Sequence, residues 1–197
     1  ASLNVIRRGT SFVMMSQGIA KYGAFRQQMV SGLSTADTGI CDVLFDPVER
    51  GKVPMPDEML SHFESQLGDD NEAFLANNIS EGAVFRMRRE ENGEVSYERL
   101  VTKHKDGNEQ FKLPLDQESD GTIRYLNLLP ILYRAGQQNN RGVYLIDELE
   151  DSLHPKLTEE LLRRFLNSTG NDQCRQLIFT THEVHLLRCD MLRRDEI

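Results

Sequence analysis

The sequence predicts an α/β protein in which helices flank a parallel sheet, together with a small antiparallel meander and a helical segment. Two short apolar runs, Val143–Ile146 and Gln176–Thr181, stand on either side of a helical pattern that begins at Pro155. Continuous apolar strands that alternate with helices are typical of a parallel sheet with covered faces. Asn92-Gly93 and Asp106-Gly107 separate β-prone runs, and such dipeptides are strong hairpin signals.

The composition is that of an ordinary globular protein. The 197 residues carry a formal net charge of -8, which argues against a surface that coats nucleic acid generally. Cys41, Cys174 and Cys189 are odd in number and widely spaced, so we expect reduced thiols in a cytoplasmic protein rather than disulfides or a zinc site. The sequence shows neither a signal peptide nor an apolar run long enough for a membrane span.

The first 80 residues predict a mainly helical lobe. Apolar residues recur at helical spacing from Thr10 to about Leu33, although Gly18 and Gly23 weaken this helix. A short strand over Asp42–Asp46 and a short helix over Pro56–Leu67 follow.

Residues 81–115 predict an antiparallel meander. Its three strands cover Ala83–Arg89, Glu94–Val101 and Gln110–Pro114. The arginines of the first strand predict a solvated face, and contact with a nucleic acid is the alternative.

Residues 116–197 alternate between helix and strand. We expect helices over Thr122–Ala135 and Pro155–Asn167, and Pro155 suits a first helical position. The strands Val143–Ile146 and Gln176–Thr181 follow these helices in turn.

Two adjacent carboxylates, Asp147 and Glu148, end the first of these strands. Ligands bind at the carboxyl ends of parallel strands, and an Asp there suits Mg²⁺ bound largely through water. A neighbouring Glu suits the orientation and deprotonation of an attacking water. The alternative is a strand end that only meets solvent or caps a helix.

His182 follows the second strand, beside the hydroxyls of Thr180 and Thr181. A histidine there can donate a hydrogen bond to a γ-phosphate, and a structural histidine is the alternative. His182 and His185 are also spaced for a metal pair on a helix face, but the His-Glu-x-x-His pattern of zinc proteases is missing.

A third polar element precedes the helix at Thr122. Ser119 and Gly121 stand where backbone amides and a helix N-terminus would face an anion. The alternative is a Ser-Asp-Gly turn before an ordinary helix.

In order, these motifs are Ser-Asp-Gly-Thr, Leu-Ile-Asp-Glu, Ser-Leu-His-Pro and Ile-Phe-Thr-Thr-His. From Leu115 to Ile197 the chain resembles the C-terminal half of an ABC-type ATPase head with a P-loop NTPase fold, as in SMC, RecF and overcoming-lysogenization-defect proteins. It resembles more closely the bacterial AAA-like ATP-binding proteins of abortive infection and phage defence.

The resemblance implies a role for each matching residue. Asp147 would be the Mg²⁺-linked Walker B acid, Glu148 the catalytic base and His182 the switch histidine. Leu149–His154 would form the D-loop at a dimer interface, with Asp151 where relatives often carry Asn. The signature would reach the γ-phosphate on the partner subunit, and its residues are Ser119, Asp120, Gly121 and Thr122.

The resemblance therefore implies an enzyme that binds and hydrolyses ATP with Mg²⁺ between two heads of a homodimer. We expect it to drive a defence or DNA-related effector, with a nuclease or another effector as partner, nucleic acid as a further candidate and no membrane. The alternative is a non-catalytic interaction or regulatory module. The sequence holds no Gly-x-x-x-x-Gly-Lys-Ser/Thr, because Gly51-Lys52 is followed by Val53. We expect the P-loop to precede Ala1 in a longer parent, and this fragment alone to be inactive.

Overall fold

The computed structural model describes residues 2–6, 12–36, 38–68, 71–76, 83–137, 142–168, 175–187 and 191–192. Cys174, Cys189, Thr10 at the start of the first predicted helix and the last residues 193–197 lie outside this part. The chain folds as two compact units, one formed by Ala1–Ser11 with Ser119–Ile197 and the other by Phe12–Glu118.

The described residues form eight strands and five α-helices. The first seven are β1 (Ser2–Ile6), α1 (Phe12–Lys21), α2 (Gly23–Thr35), β2 (Ile40–Pro47), α3 (Asp57–Ser65), β3 (Glu72–Ala76) and β4 (Val84–Arg89). The remaining six are β5 (Val95–Asp106), β6 (Glu109–Pro114), α4 (Asp120–Gly136), β7 (Gly142–Ile146), α5 (Pro155–Ser168) and β8 (Gln176–Phe179). Single 3-10 turns cover Arg50–Lys52, Leu115–Gln117 and Val184–Leu187.

The unit that contains the C-terminal part is built on a three-stranded parallel sheet in the order β1-β7-β8. The register places Val5 beside Leu145, and Leu145 beside Ile178. One face buries Tyr144 and Ile146, and the ring of Phe165 in α5 meets that of Tyr144 edge-on at 6.2 Å between centroids. This sheet confirms the predicted parallel arrangement and gives β7 a parallel neighbour on each side.

Helix α4 is buried around most of its circumference. Ser119 caps it by accepting a hydrogen bond from the Thr122 N–H, and a leucine-rich stretch follows. A helix that is apolar on nearly all sides belongs in a core. Pro130 lies inside it without ending it.

The unit formed by Phe12–Glu118 contains an antiparallel sheet in the order β2-β5-β4-β3, and β6 pairs with β5 as well. The meander is therefore present. The same sheet also includes β2 and β3, which belong to the first 80 residues. Strand β3 was not predicted from the sequence. Helices α1 and α2 pack on strands of this sheet. One hydrophobic cluster in the core of this unit consists of Val53, Leu60, Leu75, Ala83, Phe85, Met87 and Tyr97.

The single helix predicted from Thr10 to Leu33 is wrong over its described part, where α1 and α2 form two helices. Tyr22 between them is extended, with φ −126° and ψ 103°. The ring of Phe25 lies against Gly18, where a Cβ would come within 2.8 Å of ring carbons. The two glycines that weakened the prediction thus flank a real break. No helix in the described ranges is both long enough and apolar enough to cross a bilayer.

Candidate functional site

The carboxyl ends of β7 and β8 lie side by side, as the parallel register requires. The Thr180 N–H donates to the Ile146 carbonyl at 3.1 Å, and the Leu149 N–H donates to the Thr180 carbonyl at 3.0 Å. Asp147 and Glu148 lie between these two hydrogen bonds. The two carboxylates and Thr180 therefore share one edge of the sheet, where ligands of α/β proteins bind.

The Thr180 hydroxyl joins the two acidic residues. It accepts a hydrogen bond from the Glu148 N–H at 2.8 Å and donates one to Asp147 Oδ1 at 2.6 Å. The sequence predicts that this hydroxyl lies at the edge of the sheet, but it does not predict which groups the hydroxyl bonds. Only the pairing of β7 with β8 shows that Thr180 fixes both the Asp147 carboxylate and the Glu148 backbone.

The carboxylate of Glu148 is open to solvent and faces His182. Its side chain is 58% exposed, that of His182 is 86% exposed, and His182 Nε2 lies 3.6 Å from Glu148 Oε1. The backbone of Glu148 has φ +48°, which non-glycine residues adopt rarely. This conformation belongs to the sharp turn that follows β7.

Glu150 holds the segment that carries His182. Its Oε1 accepts a hydrogen bond from the His182 N–H at 2.6 Å. Burial favours the neutral acid, but the His182 N–H and the Thr181 hydroxyl outweigh it and lower the pKa of Glu150. We did not predict this role of Glu150 from the sequence. The only sign of it there is a further carboxylate two residues after Glu148.

A cavity of about 630 Å³ opens at this edge. Asp147, Glu148, Asp151, Arg124 and Thr180 provide its polar lining. The rest of the lining is apolar and comes from Val5, Leu145, Ile146, Ile178 and Phe179. A cavity with a few convergent polar groups on apolar walls is typical of a ligand site.

The Ser-Asp-Gly-Thr segment forms the N-terminus of α4. Ser119 Oγ accepts from the Thr122 N–H at 3.2 Å and lies 2.9 Å from Thr122 Oγ1. Ser119 and Asp120 are exposed, whereas Gly121 packs so closely that a Cβ there would lie 2.8 Å from the Ser152 carbonyl oxygen. None of these four residues lines the cavity.

The segment Leu149–His154 folds as two successive turns. The Asp151 N–H donates to the Glu148 carbonyl at 3.0 Å, and the Leu153 N–H donates to the Glu150 carbonyl at 2.8 Å. Ser152 has φ +61° and donates from its hydroxyl to Asp151 Oδ1 at 3.1 Å. Asp151 is half-buried and lines the same cavity as Asp147 and Glu148.

The two histidines proposed as an alternative metal pair have separate partners. His182 faces Glu148, while His185 Nδ1 lies 2.9 Å from Glu183 Oε2. Among the residues that the structure describes, no group of three or more His, Cys, Asp or Glu side chains is arranged to hold a metal.

A family model described as "AAA domain, putative AbiEii toxin, Type IV TA system" matches residues 25–188. No curated protein matches the chain. The match supports an AAA-like ATPase of the abortive-infection kind, while the wider likeness to SMC and RecF heads stays a prediction. Because the match covers most of the chain, including every residue of the candidate site except Val5, this protein belongs to that AAA-domain family of ATPase-type, nucleotide-binding proteins.

Proposed function

We propose that the chain forms part of an ATPase that binds and hydrolyses ATP with Mg²⁺ at a head–head dimer interface. One observation carries the proposal: Thr180 ties Asp147 and Glu148 together at the mouth of a cavity, at the carboxyl edge of a parallel sheet. A purely structural strand end has no need of a hydroxyl that fixes both the carboxylate of one acidic residue and the backbone N–H of the next. The match to an ATPase-type family supports the same function.

Asp147 suits the binding of Mg²⁺. Its carboxylate and the Thr180 hydroxyl are hard oxygen donors, and Mg²⁺ retains several waters when a protein offers one or two carboxylates. Bound Mg²⁺ would neutralise negative charge on the phosphates.

Glu148 suits the role of general base. Its carboxylate is exposed at the cavity, and its backbone is held by the Thr180 hydroxyl. A carboxylate in this position can orient and deprotonate a water for attack on a γ-phosphate. His182 Nε2 lies 3.6 Å from Glu148 Oε1, and this ring would donate a hydrogen bond to the same phosphate.

The signature residues would act on the nucleotide of the second head. Ser119 and Thr122 surround the N-terminus of a 17-residue helix, where free N–H groups and the helix dipole favour an anion. Asp120 beside them is exposed, and Asp151 lies in the turn that would reach the partner. Each head would complete the other's site, so that ATP binding and dimerisation are coupled.

The P-loop would come from sequence outside the 197 residues, because no such motif occurs within them. The cycle of head closure would drive a defence or DNA-related effector in the cytoplasm, with a nuclease or another effector protein as partner.

Phosphate release by the intact protein that carries this chain tests the proposal. Glu148→Gln should slow release by about two to four orders of magnitude, since a general base is lost. ATP binding should be retained, because the variant keeps Asp147 and the shape of the side chain. Glu58→Gln changes an exposed glutamate of α3 in the same way and should release phosphate at the wild-type rate. Equal rates in wild type and Glu148→Gln would refute the catalytic role and favour a non-catalytic regulatory module.

A further inference from the structure

Arg124 is a buried cation that contacts the backbone of the two acidic residues at the strand end. It lies in α4, two residues after the signature, and only 4% of it is exposed. Its Nη2 donates to the Asp147 carbonyl at 3.3 Å and to the Glu148 carbonyl at 3.2 Å. The guanidinium therefore contacts the backbone of both acidic residues.

The geometry of a helix explains how the side chain arrives there. Side chains on a helix lean toward its N-terminus, so Arg124 reaches back along the first turn of α4. Burial of a guanidinium is unfavourable unless it is hydrogen-bonded and compensated by opposite charge. Arg124 meets the first condition through its hydrogen bonds to two carbonyls, and it lines the same cavity as the acidic residues Asp147, Glu148 and Asp151.

Arg124 donates to the carbonyl of a residue, Glu148, whose backbone conformation is unfavourable for an amino acid with a side chain. Glu148 has φ +48°, a region that non-glycine residues rarely occupy. The Thr180 hydroxyl accepts from the Glu148 N–H, and Arg124 donates to its carbonyl. The residue is thus held at both of its peptide groups, which fixes the direction of its Cα–Cβ bond, the point from which the carboxylate extends.

A second contact joins the same two segments. Gly121, in the first turn of α4, packs against the Ser152 carbonyl with no room for a Cβ. The start of α4 is therefore attached to the turn over 147–153 at two points, Arg124 and Gly121.

We infer that Arg124 is a positioning residue that holds the Glu148 carboxylate in place for hydrolysis and links it to the signature of the same chain. This inference rests on the proposed function. In the proposed dimer the signature serves the partner's nucleotide and Glu148 serves its own. Arg124 would then connect the two nucleotide sites.

Steady-state hydrolysis by the intact protein, together with its ATP affinity, tests the inference. Arg124→Met removes both hydrogen bonds and should lower kcat about 10- to 100-fold, while the KM for ATP changes by less than about threefold. Arg124→Lys keeps the charge but loses the planar fork, so its kcat should fall between those of Arg124→Met and wild type. Arg134→Met, on the same helix but in contact with Asn4, should keep kcat within about twofold of wild type.

A double variant separates positioning from general damage. If Arg124 acts through Glu148, then Arg124→Met in the Glu148→Gln background should cause less than about a threefold further loss, because residues that act as a unit are not additive. A merely structural role would instead lower the unfolding temperature and the rate of every background alike.

Each outcome decides a different point. Wild-type kcat in Arg124→Met, or a full additive loss in the double variant, would overturn the inference and leave the proposed ATPase intact. If Arg124→Met does not fold, the kcat of folded Arg124→Lys decides, and a wild-type value there overturns the inference. If Glu148→Gln alone has no effect on hydrolysis, the proposed function itself fails.

Discussion

Thr180 shows at the scale of one residue how the site is assembled. Its hydroxyl uses one hydrogen bond to hold the Asp147 carboxylate and another to hold the Glu148 N–H. Thr180 directly follows β8, which pairs with β7. The side chain that fixes both acids thus comes from the neighbouring strand.

Replacement of Thr180 tests this arrangement. Thr180→Val keeps the shape of the side chain but removes both hydrogen bonds, so hydrolysis by the intact protein should fall about tenfold or more. Thr180→Ser keeps the hydroxyl and should retain most of the activity. Equal kcat values for the Val and Ser variants would show that the hydroxyl does not position the acids.

Gly121 offers a prediction about stability. An alanine Cβ there would lie 2.8 Å from the Ser152 carbonyl, so Gly121→Ala should destabilise the protein by about 1–3 kcal/mol despite its gain in helix propensity. Gly136, at the end of the same helix, has nothing within 4 Å of a Cβ, and Gly136→Ala should be neutral or slightly stabilising. Urea unfolding compares the two variants. A destabilised Gly136→Ala together with a neutral Gly121→Ala would contradict the close approach.

The sequence predicted part of the site for a definite reason. Asp147 and Glu148 follow an apolar strand directly, and ligand sites at such strand ends are a general rule. Their contacts with Thr180 and Arg124 depend on which strand lies beside β7 and how α4 packs, and neither is encoded locally. The functional roles of these residues stay predictions.

Among the secondary-structure elements, those with a clear apolar pattern were predicted with nearly correct bounds. Strand β7 begins one residue before its predicted start, and α5 ends one residue after its predicted end. Each has one unambiguous border in the sequence. The apolar run of β7 stops at a pair of carboxylates, and α5 begins with a proline at its first helical position. The break between α1 and α2 and the short strands β1 and β3 lack such borders. Their positions depend on contacts distant in sequence, such as β1 with β7.

A polar network joins three elements of the Phe12–Glu118 unit. Glu64 Oε1 accepts from Arg50 Nε at 2.8 Å and also from the Tyr97 hydroxyl. The hydrogen bond from Arg50, followed by that from Tyr97, lowers the pKa of Glu64. Burial, followed by the bond to Glu64, raises the pKa of Tyr97 to about 12.

The lowered pKa of Glu64 predicts a pH dependence of stability. The unfolded state binds the proton at about pH 4.3 and the folded state at a lower pH, so the stabilisation is complete above about pH 4.3 and is lost as the pH falls through the folded value. Glu64→Gln should therefore be less stable than wild type at neutral pH, and the difference should shrink on acidification. Urea midpoints at about pH 7 and about pH 3.5 measure it.

A matched variant controls for loss of charge. Glu58→Gln removes an exposed carboxylate from α3, the helix that also carries Glu64. It should change the midpoint little at either pH. A difference between Glu64→Gln and wild type that stays constant or grows on acidification would contradict the network's role.

At the scale of the whole molecule, the chain contains two compact units, and the family match extends into both. The proposed catalytic residues all belong to the unit built on the parallel sheet. That unit offers acids, a histidine and a helix N-terminus, but the 197 residues have no glycine-rich loop to hold the phosphates.

The lack of a P-loop motif predicts that the 197-residue chain binds ATP weakly. Calorimetry of the 197-residue chain should give a Kd for ATP·Mg²⁺ weaker than about 1 mM, because backbone amides of a P-loop supply much of the phosphate binding. A protein that joins this chain to a P-loop should bind ATP·Mg²⁺ far more tightly. Tight binding by the chain alone would show that a different phosphate site operates.

In the proposed function a triphosphate and its metal bind at the carboxyl edge of the β1-β7-β8 sheet. Anomalous diffraction from the intact Glu148→Gln protein with ATP and Mn²⁺ in place of Mg²⁺ tests it most directly. We predict one Mn²⁺ peak near the Asp147 carboxylate, with the γ-phosphate close to residue 148 and to His182. A nucleotide and metal bound away from Asp147 would contradict the claim.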